Sequence, residues 1–210
     1  MRRRFSTLDK FILGIDNGLK TLTGGFEATR MPTFSPHKTL SNDTNKHTSG
    51  LMRINHTGEV CAQALYQGQA LTAKSEQTRE NLKQAAREEI DHLVWCEQRL
   101  SELNSQPSIL NPIFYGLSFS LGAITGAISD EVSFGFVAAT EEQVCLHLSS
   151  HLAQIDHEDK KTYEMLNLML DDETEHKNHA ISLGGTTFSK PIQWSMKQVA
   201  KIMTTTTYHI

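Results

Sequence analysis

Apolar residues recur along this chain at alternating steps of three and four, the spacing that keeps side chains on one face of an α-helix. Phe5, Leu8, Ile12, Ile15, Leu19, Leu22 and Phe26 form the first such row, and it stops at Gly24-Gly25. The row predicts an amphipathic helix, either packed on the body of the protein or lying on a membrane surface beside the basic Arg2-Arg3-Arg4. Residues 29–49, rich in Pro, Ser, Thr, Asn and His, read as a loop. A long helix is expected over 51–74, with Met52, Asn55, Glu59, Ala62 and Tyr66 on one face, although its periodicity is the weakest in the chain. A turn near 75–77 leads to a second helix over 78–103; a third is expected over 130–156, and a fourth over 158–183 that stops at Gly184-Gly185. After Pro191 a short apolar helix with Trp194, Met196, Val199 and Met203 precedes a Thr-rich tail.

Three of these apolar rows are each interrupted by a carboxylate. Leu82, Ala86, Glu89, Leu93, Cys96, Leu100 and Leu103 make one row; Phe134, Ala138, Glu141, Cys145, Leu148, Leu152 and Ile155 make another. The third runs Leu166, Met169, Glu173, His176, Ala180, Leu183. A lone ionised carboxylate on a buried seam is costly, so it must be protonated, paired or bound to a cation. No Lys or Arg stands on the three rows, which makes a metal the simplest partner.

Between the second and third helices, residues 103–129 carry no charge, and Pro107 and Pro112 break the chain before an apolar, Gly-rich run over 113–128. That run falls short of the roughly 20 residues a membrane span needs. It reads as a long crossover that dips toward a bilayer interface or packs on the bundle. The expected architecture is therefore all-α, a four-helix bundle with one long crossover and additional N-terminal and C-terminal amphipathic helices. Residues 1–50, an amphipathic helix and loop, belong to the same domain as the bundle of 51–210.

Composition narrows the function. With 210 residues, 38% of them hydrophobic, the chain can bury one sizeable core. A formal charge of -4 leaves no basic face for a nucleic acid. Cys61, Cys96 and Cys145 are odd in number and form no CxxC, which disfavours zinc ribbons and disulfide frameworks and suits a reducing compartment. Asp9, Lys10, Asp16 and Asn17 interrupt the apolar run after the arginines, so no cleaved signal is expected.

Glu89 and His92 stand three residues apart, and Glu173 and His176 repeat the spacing 84 residues later; Glu59 and Glu141 are separated by 82. One Glu from each of two helices plus a Glu-x-x-His from each of the other two is the ligand set of ferritin-like carboxylate-bridged di-iron proteins. Four carboxylates would balance two divalent cations, and hard oxygens with only two imidazoles suit iron or manganese. In that arrangement Glu89 and Glu173 bridge, Glu59 with His92 completes one metal position, and Glu141 with His176 the other. Glu88 and Asp172, each just before a bridging Glu, are placed to hydrogen-bond the ligand His of the opposite half. For Glu88 a solvated helix face is the alternative. His56, one turn before Glu59, is either a further neighbour of the site or a hydrogen-bonded core residue.

Asn55-His56-Thr57-Gly58-Glu59, Glu88-Glu89-Ile90-Asp91-His92, Glu141-Glu142 and Asp172-Glu173-Thr174-Glu175-His176 resemble the demethoxyubiquinone hydroxylases, the 2-polyprenyl-3-methyl-6-methoxy-1,4-benzoquinol monooxygenases of ubiquinone biosynthesis. The likeness covers nearly the whole chain. It implies a peripheral enzyme on the cytoplasmic face of a bacterial inner membrane, with two iron ions, Fe2+ in the reduced state. It further implies a polyprenyl benzoquinol substrate, dioxygen, an electron donor with NADH among the candidates, and other ubiquinone-biosynthesis proteins as partners. Eukaryotic members carry a Tyr where this chain has Leu148, which sets aside electron transfer through a tyrosine at that place. Two other readings share parts of the pattern. One is a different carboxylate-bridged di-iron protein, such as a peroxidase, a ferritin relative or a tRNA hydroxylase. The other is a metal-free helical assembly partner on a membrane surface.

Overall fold

Ser41 opens the longest helix of the molecule: its hydroxyl accepts the backbone N–H of Thr44 at 3.2 Å, satisfying a donor that a helix start otherwise leaves bare. The computed structural model describes residues 7–210, and among them every regular element is a helix. In order these are α1 (Thr7–Thr23), α2 (Asn42–Thr72), α3 (Glu76–Glu102), α4 (Asn111–Ile128), α5 (Asp130–Leu152), α6 (Lys160–Ser182) and α7 (Lys190–Thr207). Phe5 and the three arginines lie outside the described residues. Two boundaries differ most from the sequence expectation. α2 begins at Asn42 and not at 51, because the Ser, Thr, Asn and Asp residues that read as loop supply a cap and a first turn. The threonines before Tyr208 are helical and not a tail: the hydroxyls of Thr204, Thr206 and Thr207 donate to carbonyls one turn back, at 2.8 to 3.1 Å.

Helices α2 and α3 form one antiparallel hairpin and α5 and α6 the other, with α4 crossing between them. Two apolar clusters fill the bundle. Met52, Trp95, Leu100, Leu148, Leu166 and Met169 lie in one; Ala62, Tyr66, Leu82, Phe134, Val137 and Ala180 lie in the other. Each of the four bundle helices passes from one cluster to the other across its own buried glutamate, so the acidic side chains occupy the waist of the core.

The crossover is held by glycines. A Cβ on Gly122 would stand 2.2 Å from the Leu65 carbonyl oxygen, and one on Gly68 2.2 Å from that of Phe119, so α4 and α2 meet backbone to backbone. Gly122→Ala is expected to cost about 1–3 kcal/mol through overpacking. Gly116→Ala, where a Cβ meets nothing within 4 Å, should be neutral or slightly stabilising; urea midpoints of the two variants check the contrast. The opposite face of α4 is bare, with Ile113 60%, Leu117 59% and Ile124 57% exposed. Ile12, Ile15 and Leu19 of α1 and Trp194, Val199 and Ile202 of α7 are exposed in the same way, so the middle of the apolar row of α1 is not buried against the bundle. No described helix is long and apolar enough to cross a membrane.

Candidate metal centre

The register of the hairpins brings Glu59 of α2 opposite Glu89 of α3, and the second hairpin adds Glu173 of α6. Glu59, Glu89, His92 and Glu173 each offer one ligand atom within 4.8 Å of the others, and all four are buried. His92 Nδ1 lies 3.1 Å from Glu89 Oε2 and 3.0 Å from Glu173 Oε1. His176 Nδ1 lies 2.8 Å from Glu89 Oε1 and 3.6 Å from Glu173 Oε2. Glu89 and Glu173 therefore each touch both imidazoles. Glu141 and His176 stand just outside the tightest group: Glu141 Oε1 accepts the Tyr66 hydroxyl at 2.7 Å, and the His176 ring centroid is 6.3 Å from that of His92.

The outward edges of the rings are also held. His92 Nε2 is 2.9 Å from Asp172 Oδ2, and His176 Nε2 is 3.3 Å from Glu88 Oε2, so each imidazole meets the acidic residue that precedes the glutamate of the other half. His56 is placed elsewhere. Its ring meets Glu97 at 3.4 Å and the Asn111 amide at 3.2 Å, which makes it a hydrogen-bonded core residue. Of the two histidines on α5, His151 behaves likewise: it is buried with Nδ1 2.8 Å from Asn55 Oδ1.

Sequence reasoning missed the groups that come from outside the four rows. Asp91 accepts the backbone N–H groups of Thr29 and Arg30 at 2.7 and 3.2 Å, pinning the loop after α1 onto α3. That places Arg30 against Asp172 and its guanidinium 4.9 Å over the Trp95 ring. Tyr66 was expected on the inner face of α2, but nothing in its spacing disclosed a bond to Glu141. The α3 and α6 helices leave a cavity of ≈ 750 Å³ between them, lined in part by Tyr66, Leu82, Glu88, His92, Phe134 and His176.

Charge dictates what such a waist can hold. Burial, then the charges of Glu173 and Glu89, push Glu59 and Glu141 well above the ordinary carboxylate range. Burial opposes a proton on His92, but Asp172, Glu173 and Glu89 outweigh it and raise the imidazole well above its usual value. His176 is pushed up to about 12, against burial, by Glu89 and Glu173. Even so, Glu89 Oε1, Glu173 Oε2 and His176 Nδ1 are buried without a hydrogen bond. Glu89 Oε1 and His176 Nδ1 approach to 2.8 Å outside hydrogen-bond geometry, so neither satisfies the other. Carboxylate and imidazole groups left unsatisfied in a buried waist fit a metal ion, which would replace the imidazole protons.

A pH prediction follows from these directions. A group with a raised folded pKa stabilises fully below its unfolded value, and that stabilisation is lost as pH rises through the folded one. Glu59, Glu141, His92 and His176 are all raised, whereas the lowered Glu89 and the His151 depressed by burial to about 4 contribute nothing that changes above neutrality. The metal-free chain should therefore melt lower at about pH 9 than at about pH 7. Anaerobic Fe2+ should reverse the trend, since metal binding requires those protons to leave; melting scans with and without chelator test both arms.

An all-helical, ferritin-like bundle with acids and imidazoles gathered at its waist defines the class to which this fold and site belong. The profile of the family described as ubiquinone biosynthesis protein COQ7 matches residues 46–207, and the chain belongs to that family. A protein of Pseudomonas aeruginosa strain LESB58 named 3-demethoxyubiquinol 3-hydroxylase is 54% identical over 211 residues, covering 99% of this chain and 98% of its own. Proteins of the same name from Pseudomonas putida GB-1 and Pseudomonas syringae pv. syringae B728a are 53% and 51% identical over the same shares.

Proposed function

We propose that this chain is a di-iron monooxygenase that hydroxylates the ring of a polyprenyl methoxy-methyl-benzoquinol, a late step of ubiquinone biosynthesis. The observation that carries the reading is the buried convergence of Glu59, Glu89, His92 and Glu173, with one oxygen each of Glu89 and Glu173 left without a hydrogen bond. The names of relatives 51% to 54% identical support the substrate class. Glu89 and Glu173, each against both imidazoles, would be shared between two irons; Glu59 with His92 would complete one position and Glu141 with His176 the other. Bound iron, once reduced, would supply the activation of dioxygen.

The chain's own residues do the rest. Asp172 and Glu88 hold the outer ring nitrogens and so fix which nitrogen faces the core. The two apolar clusters exclude bulk water, which strengthens every electrostatic contact in the site. One oxygen atom enters the ring C–H bond and the other leaves as water. Two electrons and two protons must come from an external reductant, with NADH among the candidates. Exposed apolar rows on α1, α4 and α7 suit a peripheral position on the cytoplasmic face of the inner membrane, where a polyprenyl tail stays in lipid while its head group reaches the core. The formal charge of -4 weighs against a tRNA substrate.

Anaerobically reduced, iron-loaded protein supplied with the demethoxyquinol and labelled dioxygen should yield a quinol carrying one labelled oxygen on the ring. Label found only in water or peroxide would refute the hydroxylase reading.

A further inference from the structure

The two halves of the site repeat in sequence but not in hydrogen bonding. The 82-residue offset that relates Glu59 to Glu141 also relates Tyr66 to position 148, which is Leu. Tyr66 is 1% exposed, and its buried hydroxyl donates to Glu141 Oε1 at 2.7 Å. Leu148 is equally buried, packs with Met52, Trp95 and Leu166, and has no donor to offer Glu59. Among the described residues no hydroxyl or amide is seated on the Glu59 carboxyl, which has a ligand oxygen within 4.8 Å of one of Glu89, itself one of the converging acids. The imidazole side is uneven in the opposite sense. Asp172 behind His92 is held by Arg30, which stacks on Trp95. Glu88 behind His176 is 48% exposed and is met by the amide of Gln84.

We propose that Tyr66 is a positioning residue that occupies one oxygen of Glu141 and makes the two metal positions unequal, leaving Glu59 as the carboxylate free to move. The inference rests on the di-iron reading above. With one lone pair of Oε1 engaged by a phenol, Glu141 is anchored, and turning its carboxyl would break that hydrogen bond. Glu59 keeps both oxygens and has no neutral donor to anchor it, while its partner His92 is the more rigidly held imidazole. A place for a small exogenous ligand therefore opens by movement of Glu59, at the Glu59–His92 position.

Two variants test this. Tyr66→Phe keeps the ring and removes the donor; Leu148→Tyr gives the other half a phenol and leaves Tyr66 intact. Anaerobic Fe2+ titration of the wild-type chain should show two binding steps about tenfold or more apart, the scale of one hydrogen bond to a charged group. Mössbauer spectra of the loaded ferrous protein should show two doublets of equal area. In Tyr66→Phe the affinities should converge to within about threefold and the doublets overlap, with two irons still bound. Leu148→Tyr should narrow the separation from the other side, and it decides alone if Tyr66→Phe fails to fold by circular dichroism. Unequal steps and doublets that persist unchanged in the variants, or a single doublet in the wild type, overturn the role given to Tyr66. Fewer than two irons in the saturated wild type would overturn the di-iron reading itself.

Discussion

Glu173→Gln is expected to cut metal loading and turnover together while the helices persist. Glu173 is 1% exposed and stands between the two imidazoles, 3.0 Å from His92 Nδ1 and 3.6 Å from His176 Nδ1. The amide is nearly isosteric, so the core stays packed, but it removes one of four anions and turns a pair of acceptors into an acceptor and a donor. Two divalent cations would then face three carboxylates in a low-dielectric core, leaving an uncompensated charge that costs several kcal/mol in order of magnitude. Loss of at least one iron per chain and a fall in turnover of ~100-fold or more are expected. Iron analysis, turnover on the quinol and circular dichroism separate the outcomes. Two irons with undiminished turnover would contradict the shared role of Glu173. Glu142→Gln supplies the control, since Glu142 is exposed on the outer side of α5.

Much of this site was legible in the chain because a buried carboxylate has to interrupt an apolar row, and periodicity exposes the interruption. Glu89, Glu141 and Glu173 were found that way, and the structure places each at 1% exposure or less. Glu59 was harder. α2 is buried on several sides, against α3, α4 and α5, so polar residues such as Gln63 and Gln69 sit inside and blur its stripe. Other features were not legible because they arise from pairing between distant segments. Arg30 lies in a stretch that reads as featureless loop, and the grip of Asp91 and Trp95 on that loop brings it 142 residues along the chain to Asp172. The start of α2 was misread for a local reason, since the residues that make turns are the residues that cap helices. The crossover was read correctly as too short to span a membrane, but its glycines meant close helix packing on α2, which composition alone does not reveal.

Arg99 gives the second large effect, and it concerns stability. It is 1% exposed, yet its charge is answered on several sides: Nη2 donates to Asp159 Oδ1 at 2.8 Å, Nε to Thr162 Oγ1 at 2.7 Å and Nη1 to Glu102 Oε2 at 2.9 Å. Asp159 serves twice, because the same Oδ1 also accepts the Thr162 backbone N–H at 3.2 Å and so caps α6. Removing one member of a buried pair strands the other, which costs about 3–5 kcal/mol, whereas removing both can be nearly neutral. Arg99→Met and Asp159→Ala are each expected to fall in that range, with Asp159→Ala also losing about 1 kcal/mol of capping. Arg99→Met combined with Asp159→Ser keeps a cap and strands no charge, so its cost should be well below the sum of the single changes. Urea unfolding of the wild type, Arg99→Met, Asp159→Ser and their double variant closes the cycle, and Asp159→Ala adds the loss of the cap. Glu173 lies 14 residues beyond Asp159 on the same helix, about 21 Å at the rise of an α-helix. The double variant should therefore bind as many irons as the wild type, and a double variant that folds but loses iron would mean that this pair sets the register of α6 at the metal centre.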